Sequence, residues 1–63
     1  MCLGKAYIAG ADRNELMAEN VASVKVENGS LVITTILRQT KRLEAAIESI
    51  DFSNGIIILR PTQ

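Results

Sequence analysis

The 63-residue chain has no histidine and no tryptophan, one cysteine, one proline, and only two aromatic side chains, Tyr7 and Phe52. Without histidine there is no imidazole base, no Ser-His-Asp or Cys-His nucleophilic arrangement and no imidazole metal ligand. With one thiol no disulfide closes within the chain, and neither a zinc ribbon nor a redox Cys-x-x-Cys pair forms in a single copy. The glycines Gly4, Gly10, Gly29 and Gly55 are scattered and build no phosphate-cradling loop. No apolar run approaches the ~20 residues of a membrane span, and the start lacks the charged and apolar regions of a secretory signal. Nor is there an excess of either charge: seven basic residues face seven acidic ones. That removes the electrostatic term on which most nucleic-acid binders rely and argues against a charge-driven membrane partner. The expectation is a non-enzymatic, cytoplasmic protein with a reduced thiol.

What is present is aliphatic. Hydrophobic residues make up 48% of the chain, so the core must be built from Ile, Leu, Val and Ala. Residues 1–63 read as a single small domain. A chain of this length buries only about 60% of its unfolded surface, and such domains commonly gain stability from a metal or from association.

The pattern along the chain is that of short strands. Cys2 to Ala9 is a mostly apolar run ending at Gly10, as in a first strand, and Ala11-Asp12-Arg13-Asn14 is a polar turn. From Val21 to Glu27 apolar and polar residues alternate, with Ala22, Val24 and Val26 on one side. Asn28-Gly29 follows, the pair best suited to a type I′ turn because both central positions need positive φ. Leu31 to Leu37 then returns, rich in β-branched residues, completing a hairpin. A second hairpin runs from Glu48 to Phe52, through Ser53-Asn54-Gly55, and out along Ile56 to Leu59. Between the hairpins, Leu43, Ala46, Ile47 and Ile50 fall at helical spacing, which predicts a brief helical turn near Leu43 to Ala46. Only Thr62 and Gln63, after Pro61, read as a loose tail. About five short antiparallel strands with almost no helix predict an all-β fold, a small closed or half-closed β-barrel of SH3-like form. Leu31-Val32-Ile33 and the Ile56 run carry apolar side chains on both faces, which a second copy of the chain would cover.

Two features are candidates for function. Arg38-Gln39-Thr40-Lys41-Arg42 is a basic cluster that could meet phosphates, but no aromatic residues are interleaved to stack on bases, and a solvated loop is the favoured reading. Cys2 is the other. A lone cysteine is most often a small buried hydrophobe, but position 2 changes the chemistry. If the initiator methionine is removed, the amine and thiolate of Cys2 close a five-membered chelate. If Met1 is retained, its backbone amine, the Cys2 amide nitrogen and the Cys2 thiolate form an alternative donor set. Two such cysteines related by a two-fold axis complete four-coordination, and Ni(II) and Cu(II) accept square-planar N/S donors more readily than structural zinc does.

Met1-Cys2-Leu3, the Val21 to Leu37 hairpin with its Asn28-Gly29 turn, and Ile50-Asp51-Phe52-Ser53-Asn54-Gly55 leading into Ile56 to Leu59 resemble CooT. That is a family of small nickel-binding proteins associated with maturation of carbon monoxide dehydrogenase. The similarity spans nearly the whole chain and is weakest from Arg38 to Ala46. It implies a compact SH3-like β fold that dimerises, and Ni(II) bound by the amino-terminal cysteine of each protomer, here Cys2. The reading is therefore a homodimeric nickel carrier or chaperone with one metal ion between two Cys2 residues, shaped by Leu3 and Gly4. Its partners would be a nickel enzyme such as carbon monoxide dehydrogenase, or the factors that mature it. Two alternatives stand beside it: a small β-barrel that binds RNA through Arg38, Lys41 and Arg42, and a metal-independent protein-interaction module.

Overall fold

The computed structural model describes residues 3–62; Met1, Cys2 and Gln63, and the expectations placed on them, lie outside the described residues. Within that span the chain forms β1 (Gly4–Ile8), β2 (Glu15–Glu27), β3 (Ser30–Thr35), β4 (Thr40–Leu43), β5 (Ala45–Asp51) and β6 (Ile56–Pro61). All belong to one sheet in the order β4-β3-β2-β1-β6-β5. The all-β expectation holds, with six strands rather than about five.

Both expected hairpins form. β2 and β3 pair antiparallel from Val26↔Leu31 through Val24↔Ile33, around a turn in which Asn28 (φ 50°) and Gly29 (φ 82°) both take positive φ. β5 and β6 pair antiparallel around a turn that ends at Gly55 (φ 68°). The segment Glu15 to Ala18, which has no clear pattern of its own, is the first half of β2 and pairs with β1.

Three details correct the sequence reading. The stretch Leu43 to Ala46 is not helical: Leu43 ends β4, Glu44 bends the chain, and Ala45 begins β5. A single helical turn carries the full cost of nucleation with few bonds to offset it, whereas β5 pairs with β6 from Ala45↔Pro61 to Asp51↔Ile56, with one register shift at Glu48. Second, the strands are not all antiparallel, because β1 lies parallel to β6, from Lys5↔Ile56 to Ile8↔Leu59. Third, of the closed and half-closed forms expected, the barrel is not the closed one. β4 and β5 are the two ends of the sheet, and β5 folds back against β3 without pairing to it.

β2 makes the curl possible. Its thirteen residues pair with β1 at one end and β3 at the other, with register shifts on both sides and Asn20 in the left-handed region (φ 56°). A bulge adds local twist and bend. It also breaks the alternation, so Val21 and Val24, three residues apart, both reach the core; Val26, on the same face as Val24 but beside the turn, is 64% exposed.

The core comprises Ala6, Val21, Leu31, Ile33, Ala45 and Leu59, drawn from five of the six strands. The molecule measures 31 × 25 × 15 Å. Its thin dimension leaves room for one layer of side chains between facing sheet surfaces about 10 Å apart. Ser30, the buried polar residue, donates from its hydroxyl to Glu44 Oε2 at 2.7 Å, which fixes the bend between β4 and β5.

Candidate functional site

The amino-terminal end of β1 is built against the β5–β6 turn. Asp51 organises that turn. Its Oδ1 accepts from Ser53 N (3.0 Å), Ser53 Oγ (2.7 Å) and Asn54 N (3.2 Å), and its Oδ2 accepts from Asn54 Nδ2 (2.8 Å). These donors, first the Ser53 hydroxyl and then the Asn54 side chain and amide, hold the Asp51 carboxyl below the usual carboxylate range. The turn then delivers Gly55, whose carbonyl accepts from Lys5 N at 2.8 Å.

Gly55 and Gly4 meet back to back there. A Cβ on Gly55 would lie 3.2 Å from the Leu3 carbonyl oxygen, and one on Gly4 would lie 3.2 Å from the Gly55 carbonyl oxygen. Close backbone approach is what glycine permits, and Gly55 also needs its positive φ. The result is that Leu3, covalently next to Cys2, is seated on the same turn that carries Phe52.

Beside this seat lies an open, largely apolar groove of about 260 Å³, lined among others by Leu3, Val24, Ile47, Ile50, Phe52 and Ile57. Large apolar side chains stand at its rim: Phe52 is 80% exposed, Ile50 44%, and Leu3 and Ile47 37% each. A phenyl ring held in water on a rigid turn, beside an apolar groove, is an unusual surface for an isolated small protein.

The basic residues are elsewhere, on the β3–β4 arm. Arg42 Nη2 donates to Glu27 Oε1 at 3.0 Å, and Lys25 lies 3.4 Å from Glu27 Oε2. The Arg42 contact is the main reason the Glu27 carboxyl titrates below its ordinary range. Exposed pairs of this kind add little stability. Lys41 Nζ donates to the Met17 carbonyl at 3.1 Å, and Arg38 sits at φ 66° in the turn before β4. The three cations expected to act together are thus differently engaged. Among the described residues no group of three or more His, Cys, Asp or Glu side chains could hold a metal ion.

The model of the family described as CO dehydrogenase accessory protein CooT matches residues 1–60. The chain belongs to the CooT family. A crystal structure assigned to CooT from Carboxydothermus hydrogenoformans superposes with a TM-score of 0.91 at 26% identity, covering 98% of this chain and 100% of that one. No curated protein matches the sequence. The CooT match runs from Met1 through Cys2 to Arg60, one residue short of the end of β6, so the amino-terminal seat and the groove lie inside it. In this CooT chain, Ile47, Ile50 and Phe52 are the groove residues that sequence reading did not single out as a surface. Their adjacency to Leu3 follows from the parallel β1–β6 pairing, which leaves no local signal.

The Asp51 carboxylate offers a direct test of the turn. Because its pKa is depressed in the fold, its contribution is full above about 3.9, the value of a free aspartate, and is lost as pH falls through the lower folded value. Amide resonances of Ser53 and Asn54 should therefore titrate together with a midpoint below about 3.9. A midpoint at or above that of a free aspartate would show that the cap is not formed in solution.

Proposed function

We propose that this CooT chain is a nickel carrier serving maturation of carbon monoxide dehydrogenase, binding one Ni(II) per homodimer between two Cys2 residues. Family membership supports the accessory role. The single-thiol, histidine-free composition supports the shared site, because a soft four-coordinate site needs a second copy, backbone nitrogens, or both. The observation that carries the reading is the groove beside Leu3. It places exposed apolar surface next to the residue that follows Cys2, and offers both a projecting ring and a recess on one patch. A patch carrying both is self-complementary, as a two-fold interface requires.

The Cys2 thiolate, with its own amine or with the Met1 amine and the Cys2 amide, supplies the donors. Leu3 and Gly4 shape the approach and do not ligate. The role is that of a binding protein in the cytoplasm rather than an enzyme. Among the described residues no helix is long and apolar enough to cross a membrane.

Native mass spectrometry of the intact protein with Ni(II) tests this. The expected species is a dimer carrying one nickel ion, and a monomer that binds nickel with the same affinity would overturn the reading. Phe52→Glu separates assembly from folding. Phe52 is 80% exposed, so a charge there costs the monomer fold little, but it would be desolvated in the interface. The variant should keep its melting temperature as a monomer and elute as monomer at concentrations where wild type is dimeric.

A further inference from the structure

The basic run on the β3–β4 arm borders a second groove, which shares no lining residue with the first. We propose that this groove takes up an extended segment of a partner protein, added along the free edge of β2 with an acidic side chain against Lys41.

The edge is free for a structural reason. Glu15, Leu16 and Ala18 pair with β1 on one side, with Met17, Glu19 and Asn20 in its register shifts, while pairing with β3 begins only at Val21. The left-handed Asn20 turns the two halves of β2 apart and leaves a wedge of about 550 Å³ between Met17–Asn20 and the β3–β4 arm. Among the described residues two contacts cross that wedge. Asn20 O accepts from Ile36 N at 3.0 Å, and Met17 O accepts from Lys41 Nζ at 3.1 Å. Lys41 is exposed, and its bond to a neutral carbonyl is one that a flexible ammonium can exchange for a carboxylate. Released, the Met17 carbonyl would be available to an incoming backbone N–H, as in strand addition.

Charge and shape narrow the occupant. Among the described residues the ion pairs are Lys25–Glu27 and Arg42–Glu27, so neither Arg38 nor Lys41 is in an ion pair. Glu19 lines the β2 side of the same groove. An anion is therefore favoured toward β4 and disfavoured toward β2, which suits a peptide with one placed acid better than a polyanion. The groove holds no aromatic ring on which a base could stack. Its floor is the buried Ile33, and Leu37 at the rim is 74% exposed, so apolar side chains of the segment have surface to cover.

The test is selection of random displayed heptapeptides on the full-length protein, followed by NMR with a synthesised winner. Enriched sequences should combine β-branched residues with Asp or Glu. The winner should shift the amides of residues 16–20 and 36–41 and leave those around Phe52 unchanged. Lys41→Glu should weaken its binding at least about tenfold, Lys41→Gln less, and Lys41→Arg should restore it, each variant retaining wild-type NMR dispersion. Absence of enrichment, winners without an acid, equal binding to Lys41→Glu, or shifts confined to the Phe52 groove would each overturn the proposal. So would oligouridylate binding with the same Lys41 dependence when peptides fail. Binding should persist in Cys2→Ser and without nickel, so its failure is distinguishable from failure of the nickel reading.

Discussion

Cys2→Ser is expected to lower Ni(II) affinity by more than about a hundredfold. Serine preserves size and backbone, but its hydroxyl is not ionised near neutral pH and is a hard, weak donor for Ni(II). The chain has no histidine and no other thiol to take over. Among the described residues no acidic cluster offers an oxygen site instead. In a two-fold dimer one substitution removes both sulfur ligands, which is why the expected loss exceeds that of an ordinary single-ligand change. A titration followed by sulfur-to-nickel charge-transfer absorption, with native mass spectrometry for stoichiometry, measures it. Affinity within tenfold of wild type would end the thiolate site. The fold should be unaffected, so the circular dichroism of the variant is the control.

Leu59→Ala is expected to leave the metal-free protein largely unfolded at 25 °C. Leu59 is fully buried, pairs with Ile8 on one side and Ile47 on the other, and joins β6 to the single core. Truncating such a leucine costs about 2–5 kcal/mol, while a core in a domain of this length seldom supplies more than about 3–5 kcal/mol. Nickel then becomes a stability reagent. A ligand that binds only the folded dimer at a hundred times its Kd adds about 2.7 kcal/mol, enough to refold much of the variant. The same addition should do nothing for Cys2→Ser combined with Leu59→Ala. Far-UV circular dichroism melts with and without Ni(II) decide the matter. A Leu59→Ala melt within a few degrees of wild type would mean that the core does not unfold as one unit.

The proposed amino-terminal site is only partly legible in the sequence. Cys2 stands out because it is the one thiol in a chain without histidine, and that inference needs no coordinates. Phe52 and Ile50 were visible only as apolar residues flanking a turn. That they adjoin Leu3 depends on β1 lying parallel to β6, a pairing between segments about fifty residues apart. A glycine pair, Gly4 and Gly55, permits that approach, but each glycine alone reads as an ordinary punctuation mark. Similarly, the cations at 38, 41 and 42 form one cluster in sequence, yet Arg42 is drawn to Glu27 across β3 while Lys41 reaches Met17.

The sequence by itself determined the elements whose causes are local. Asn28-Gly29 specifies its turn through two positive φ angles, Asp51 with Ser53 and Asn54 specifies the second through side-chain-to-backbone bonds, and the β-branched runs beside them make strands. The tertiary structure decided what depends on competition between distant partners. It turned the helical spacing around Leu43 to Ala46 into two strands, because β6 offers β5 a ladder along its length, with one register shift. It brought Val21 and Val24 to one core through a bulge in β2, and it left the barrel open between β4 and β5. Local pattern sets which backbone shapes are cheap; only the closed set of hydrogen bonds and one shared core sets which of them are chosen.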